Sequence, residues 1–310
     1  MEFPNPYQKE YIARIHKVMD YIEANIHQPL NLSVLADVAN FSPFHFHRIF
    51  SAMTGETLNN YLKRKRIEKA ASLLIDNRET PIGEIAEICG FNSLSAFARA
   101  FRERFEMNAS EFRSKKHPHL SKNRQTQSKI GKTEPASEEY FWLIKPNEKW
   151  RSIMETNIQI KEMPAMNLIC CRHTGAFDQI GKAYDKIFKW AGARGLLDFP
   201  KTKGVTVYHD DPKVTEIGKL RQSACITVEG DVKTEGEIGK LSIPGGKYVV
   251  GSFIISPTEF EDAWNSVCLW LTESGYQPAD GYPYELYHNE GDKCPEKEFV
   301  VDICIPVKPM

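Results

Sequence analysis

His173, His209 and Asp210 are residue types that could trade protons. No nucleophile or phosphate-cradling motif accompanies them: G-x-S-x-G, H-E-x-x-H and G-x-x-x-x-G-K-[ST] are all absent. The stretch Tyr208-His209-Asp210-Asp211-Pro212 instead reads as a turn after a strand, where Asp and Pro are structurally useful. No catalytic set and no cofactor is therefore expected. His45 and His47 are two residues apart, which on a helix sends them to different faces, so no metal pair is expected either. The 7 cysteines contain no C-x-x-C, and Cys170 and Cys171 are adjacent, a pattern of free thiols that fits a reducing cytoplasm. More telling are Arg48, Arg99 and Arg102, because a guanidinium fork is the commonest bidentate reader of guanine in the DNA major groove.

The elements that must position these residues change character along the chain. At 310 residues, with 41% hydrophobic and 26% charged, the sequence has room for about two globular domains. Its start has neither a basic nor an apolar leader region, and no run of 18 apolar residues occurs, so neither secretion by that route nor a membrane partner is expected. The net charge of −1 hides a polarity: residues 1–132 carry 20 Lys and Arg against 14 Asp and Glu, and the remainder 20 against 27. A polyanion would suit the first part alone. Upstream, Ile12, Ile15, Met19, Ile22 and Ile26 step by three and four, predicting a helix that ends near Pro29. From His117 to about Lys132 the apolar periodicity gives way to polar and basic residues, predicting a linker. Beyond it, short Val/Ile-rich runs alternate with helical stretches at about 176–194 and 257–274. Residues 133–155 fit either a linker anchor or a strand.

The helical part contains an internal repeat. Leu35/Ile85, Ala36/Ala86, Val38/Ile88 and Phe41/Phe91 match at a spacing of 50, and Phe46/Phe97, Arg48/Arg99 and Phe50/Phe101 at 51. Each copy reads as a short helix, a turn plugged by Phe41 or Phe91, and a second helix opened by a capping residue, which is helix-turn-helix logic used twice. A helical-hairpin repeat that binds protein is the alternative. Arg on the exposed side of each second helix favours DNA. The helix expected between the copies, about 57–75, would be about 28 Å long, close to the roughly 34 Å between major grooves on one duplex face. Its Lys63-Arg64-Lys65-Arg66 run reads as phosphate-positioning or as a solvated face.

Over about residues 9–116 the sequence resembles the AraC/XylS family of transcriptional regulators. The resemblance rests on Gly55, Tyr61, Leu62, Arg66, Ala70, Leu73 and Leu74, then on Ile85, Ala86, Gly90, Phe91, Phe97, Arg99, Phe101 and Phe105. It implies base-facing positions at Phe44, His47 and Arg48, then at Leu94, Ser95, Ala96 and Arg99, with Arg102 beside them on the second reading helix. Leu94 and Ala96 depart towards apolar contact, suited to a thymine methyl.

Residues 155–310 read as strand, strand, helix, two strands, and then the same order again from near Lys240, an α+β arrangement. The motifs Arg172-His173-Thr174-Gly175, Tyr208 to Pro212, Ile243 to Tyr248, Trp270-Leu271 with Ser274-Gly275-Tyr276, Tyr284 to Tyr287, and Ile303 to Val307 resemble, in order, the GyrI-like effector-binding fold. That likeness implies a pocket with Glu285 on its floor, pairing with lipophilic cations, and Tyr284, Tyr287, Tyr282, Trp264 and Phe253 as the available aromatic walls. On the residues alone, the favoured reading is that Glu285 faces solvent while the tyrosines pack; the resemblance reverses that preference.

Together these readings predict three segments: an all-α double helix-turn-helix domain over 1–116, a linker over 117–154 and a GyrI-like domain over 155–310. The function they imply is a bacterial, cytoplasmic transcriptional regulator, with operator DNA, a small-molecule effector and RNA polymerase as partners. A GyrI-like half that hydrolyses small electrophiles, or that binds a protein, is the alternative.

Overall fold

A computed structural model describes residues 5–115, 157–210, 217–288 and 298–310. The expected linker, and the stretch that fitted anchor or strand, lie outside the described residues apart from the boundary. Among the described residues, 12–46 and 53–115 make one compact unit, while 5–11 and 47–52 group with the residues from 157 onward in the other.

The helices are α1 (Pro6–Ala24), α2 (Leu32–Val38), α3 (Pro43–Thr54), α4 (Leu58–Asp76), α5 (Ile82–Ile88), α6 (Leu94–Phe105) and α7 (Ala109–Ser114). On α1 the buried stripe is Tyr11, Ile15, Val18 and Ile22, turned slightly from the expected one and continued by Ile26 just past the helix; Ile12 and Met19 lie at its half-buried margin. The helix also stops at Ala24, five residues short of Pro29. Polar side chains accept the first backbone donors of four helices: Asn31 for α2, Thr57 for α4, Ser93 for α6 and Asn108 for α7, the last in a reciprocal box with Glu111.

The repeat is visible in the backbone. Asn40 and Gly90, 50 residues apart, both occupy the left-handed region, at φ 55° and 79°. In each copy the next residue turns back onto the first helix: the Phe41 N–H donates to the Ala36 carbonyl and the Phe91 N–H to the Ala86 carbonyl, both at 3.0 Å. Gly90 is also sterically required, since a Cβ there would lie 2.5 Å from the Ile26 carbonyl oxygen. The second motif closes around Ile67, Leu74, Ile85, Phe97, Phe101 and Phe112.

In the other unit, β1 (Ile158–Met163), β2 (Met166–Thr174), α8 (Gly181–Gly192), β3 (Gly204–Tyr208) and β4 (Arg221–Thr227) are followed by β5 (Ile238–Ile243), β6 (Gly246–Ile255), α9 (Phe260–Glu273), β7 (Tyr276–Pro278), β8 (Tyr284–Tyr287) and β9 (Phe299–Pro309). The duplicated order is thus present, with β7 added to the second copy. All pairings are antiparallel, in the order β1-β6-β9-β8-β3-β4-β2-β5, with β7 on β9. The two copies meet at β3–β8 and each lends its first strand to the far side of the other. Alternation then sorts the side chains between two faces. Cys170, Val205, Cys225, Tyr248, Tyr284 and Cys304 form the core of one. Cys171, Ala224 and Ile226 pack with Ala183, Ile187 and Ala191 of α8 on the other.

Candidate functional site

Thr206 on β3 pairs with Ala224 on β4 and with Glu285 on β8, so Glu285 shares the face that α8 covers. There a cavity of about 1030 Å³ opens over the central strands, lined by aromatic side chains from α8, β3, α9, β8 and β9. Glu285 is 1% exposed at its floor. The Trp264 indole N–H donates to Oε1 at 2.7 Å and the Tyr287 hydroxyl to Oε2 at 2.6 Å. Burial pushes the Glu285 carboxyl above its ordinary value; hydrogen bonds from Tyr287, Trp264 and Tyr208, and the positive charge of Arg48, hold it back. Burial also raises the Tyr184, Tyr208 and Tyr287 hydroxyls well above the ordinary range, so these remain donors near neutrality.

The walls are a connected aromatic shell. Tyr208 meets Trp264 edge-on at 5.6 Å and Phe177 at 5.1 Å, Tyr287 meets Tyr184 and Phe299, and Tyr184 bonds Thr206 at 2.9 Å. The guanidinium of Arg48 lies 4.0 Å from the centre of the Trp264 ring and lines the same cavity. A cation is therefore already seated on one π face.

Of the aromatic residues expected as walls, Trp264 and Tyr287 line the cavity and three do not. Tyr284 is fully buried on the opposite face against Tyr248, because neighbouring residues on a strand point to opposite sides. Tyr282 precedes β8, is 47% exposed and stands against His209. Phe253 shares the α9 side but is used in packing: its ring lies over Gly251, where an added Cβ would meet it at 2.7 Å and Val267 at 2.6 Å. Sequence reasoning missed Tyr184, Tyr208, Phe177 and Gln222. The helical spacing of Tyr184 from Phe188 and the parity of Tyr208 with Thr206 were the available signals.

The proton-trading candidates lie elsewhere. His173 bonds the Ala176 carbonyl at 3.0 Å, His209 bonds Ser223 at 2.9 Å, and Asp210 clamps Arg221 through its guanidinium and backbone N–H. None of the three lines the cavity. Among the described residues no group of three His, Cys, Asp or Glu side chains is placed to hold a metal, and no helix is long and apolar enough to cross a membrane.

The expected DNA-reading positions divide. On α6, Leu94, Ser95, Ala96, Arg99 and Arg102 are exposed, and neither guanidinium is ion-paired among the described residues. On α3, Phe44 and Arg48 are half-buried and His47 is 1% exposed. The Lys63–Arg66 run is internally engaged: Lys63 with Glu103, Arg64 with Glu56 and Glu68, Lys65 with Glu23, and Arg66 with the carbonyls of Ile26 and Gln28. These contacts tie the run into the helical unit.

A doubled helix-turn-helix joined in one chain to a two-copy sheet with a lined cavity defines a DNA-binding regulator with a small-molecule-binding domain. Comparison with known proteins agrees. The profile of a helix-turn-helix domain matches residues 35–115, and that of the GyrI-like small molecule binding domain matches residues 156–308. The chain is 33% identical over 99 residues to the regulatory protein SoxS of Salmonella typhimurium, covering 32% of this chain and 92% of that protein. It is 31% identical over 132 residues to DNA gyrase inhibitor 2 of Dickeya dadantii, covering 41% and 82%. A solved EcmrR–DNA complex is 18% identical, with a TM-score of 0.46 over 91% of this chain and 100% of that one. The chain belongs to the AraC family of transcriptional regulators and carries a C-terminal GyrI-like domain. It is a DNA-binding regulator with a small-molecule-binding domain, and its family is one of regulators, not of enzymes.

Proposed function

We propose that this regulator responds to a lipophilic organic cation held over Glu285. One observation carries the reading: a buried carboxylate, hydrogen-bonded by two neutral donors at the distances given and reached by the charge of Arg48, forms the floor of a cavity with nine aromatic residues in its lining. An ionised carboxylate removed from water is costly until a cation joins it, and the π faces around it add to the attraction. The Arg48 guanidinium on the Trp264 ring supports the same preference. Calorimetry with a planar quaternary ammonium and its neutral carbon isostere tests it. The cation should bind more tightly, and Glu285→Gln should remove about 2 kcal/mol or more from the cation while leaving the isostere nearly unchanged. Equal affinities, unaltered by the substitution, would leave an effector of another class.

On the DNA side, residues 1–116 serve as the reading domain and 155–310 as the effector domain. Ser95, Ala96, Arg99 and Arg102 face one major groove; Phe44, His47 and Arg48 are the positions assigned to the next, and they meet it only on leaving the packing described above. RNA polymerase is the protein partner that membership of a regulator family implies. Binding to a selected operator should weaken steeply as salt rises, because phosphate contacts release counterions. A flat salt response would argue against a duplex partner.

A further inference from the structure

Gln222 on β4 lines the same cavity and is 1% exposed. Neither its Nε2 nor its Oε1 has a hydrogen-bond partner among the described residues. Buried amides are nearly always satisfied, so one left open on both its donor and acceptor sides in a binding cavity calls for a group that completes it. Gln222 pairs with Tyr208 across β3–β4, and Glu285 pairs with Thr206 across β3–β8, which places both side chains on one face, two strands and two residues apart. With strands about 4.8 Å apart and a rise of about 3.3 Å per residue, the two backbone positions are about 11 to 12 Å apart along a diagonal of the sheet.

We propose that the effector is elongated and carries two recognition groups: a cation at Glu285 and, about 10 Å away, a primary carboxamide that pairs with Gln222 through one donated and one accepted hydrogen bond. This rests on the cation reading for one end of the molecule only. The aromatic shell between the two anchors supplies the surface for a flat, apolar connecting body. A carboxamide presents donor and acceptor side by side, the complement of what Gln222 offers. A cation without such a group would fill the cavity and leave the buried amide open.

Three probes of one length test this by calorimetry on the full chain. The first is a biphenyl with a trimethylammoniomethyl group at one end and a carboxamide at the other. The second replaces the carboxamide by isopropyl; the third keeps it but replaces the ammonium by its neutral carbon isostere. The first should bind at least about tenfold more tightly than the second, and Gln222→Met, near in size and checked by its melting curve, should bring the two to parity by weakening the first alone. Equal affinities of the first two in the unsubstituted protein, or a preference that survives Gln222→Met, would overturn the assignment of Gln222. Binding of the third as tight as the first, with the second weak, would support Gln222 and sink the cation at Glu285. Binding of none would overturn both.

Discussion

The two reading helices are copies of one motif and are held in different states. On α6 the positions expected to meet bases are open to solvent, with Arg99 and Arg102 exposed. On α3 the equivalent surface is withdrawn: His47 is 1% exposed and Arg48 rests on Trp264. Sequence similarity therefore made the two helices equivalent in shape, while burial made them unequal in readiness. The turn that precedes each helix is alike in conformation too, yet Gly90 is crowded by the Ile26 carbonyl whereas Asn40 carries a full side chain in the same left-handed region.

The largest effect expected from this comparison is at the turns. Gly90→Ala forces a Cβ against a backbone oxygen at a positive φ and should cost about 2 to 4 kcal/mol, whereas Asn40→Gly should change stability by less than about 1 kcal/mol. Chemical denaturation of both variants would measure the contrast. Equal losses would mean that the two turns are held alike after all.

Next come the arginines. Without effector, Arg99→Ala should lower operator affinity by about 1 to 3 kcal/mol and relax preference at one base, and Arg48→Ala should cost less. Anisotropy titrations against operator variants would show it. A larger loss for Arg48 would mean that α3 meets DNA as readily as α6.

A smaller effect concerns the cavity in which Arg48 rests. Because the Glu285 pKa is raised in the folded protein, its contribution to stability is complete below the ordinary value of 4.5 and is lost as pH rises through the folded value. The melting temperature of the ligand-free protein should fall over that window, and Glu285→Gln should flatten the fall. A cationic effector should do the same by favouring the carboxylate. A melting profile of the same slope in the Gln variant would show that Glu285 is not the group responsible. The smallest change is Lys63→Ala, which removes an exposed pair with Glu103 and should alter stability and operator affinity by no more than about 0.5 kcal/mol. A uniform loss across all DNA sequences beyond that would restore Lys63 as a phosphate contact.

Much of this was legible in the chain. The doubled helix-turn-helix followed from residue spacing because a helix repeats every 3.6 residues, so local periodicity reports the face that packs. The capping residues Asn31, Thr57, Ser93 and Asn108 act on donors three residues away, within reach of sequence reasoning. Even the exclusion of Tyr284 was available, since a residue next to Glu285 on a strand must face the other way. The likeness to a known fold picked out Glu285; its burial and partners came only with the structure.

What the tertiary structure decided was which distant residues meet. Tyr184, Tyr208, Gln222, Trp264 and Glu285 come from α8, β3, β4, α9 and β8, and no spacing along the chain relates them. Their meeting depends on strand register and on the junction of the two copies at β3–β8, which are set by long-range pairing. The sequence by itself determined the elements and their faces, because those depend on neighbours a few residues apart. The cavity, its open amide and the unequal exposure of α3 and α6 were decided in three dimensions, because burial is a property of everything that packs around a side chain.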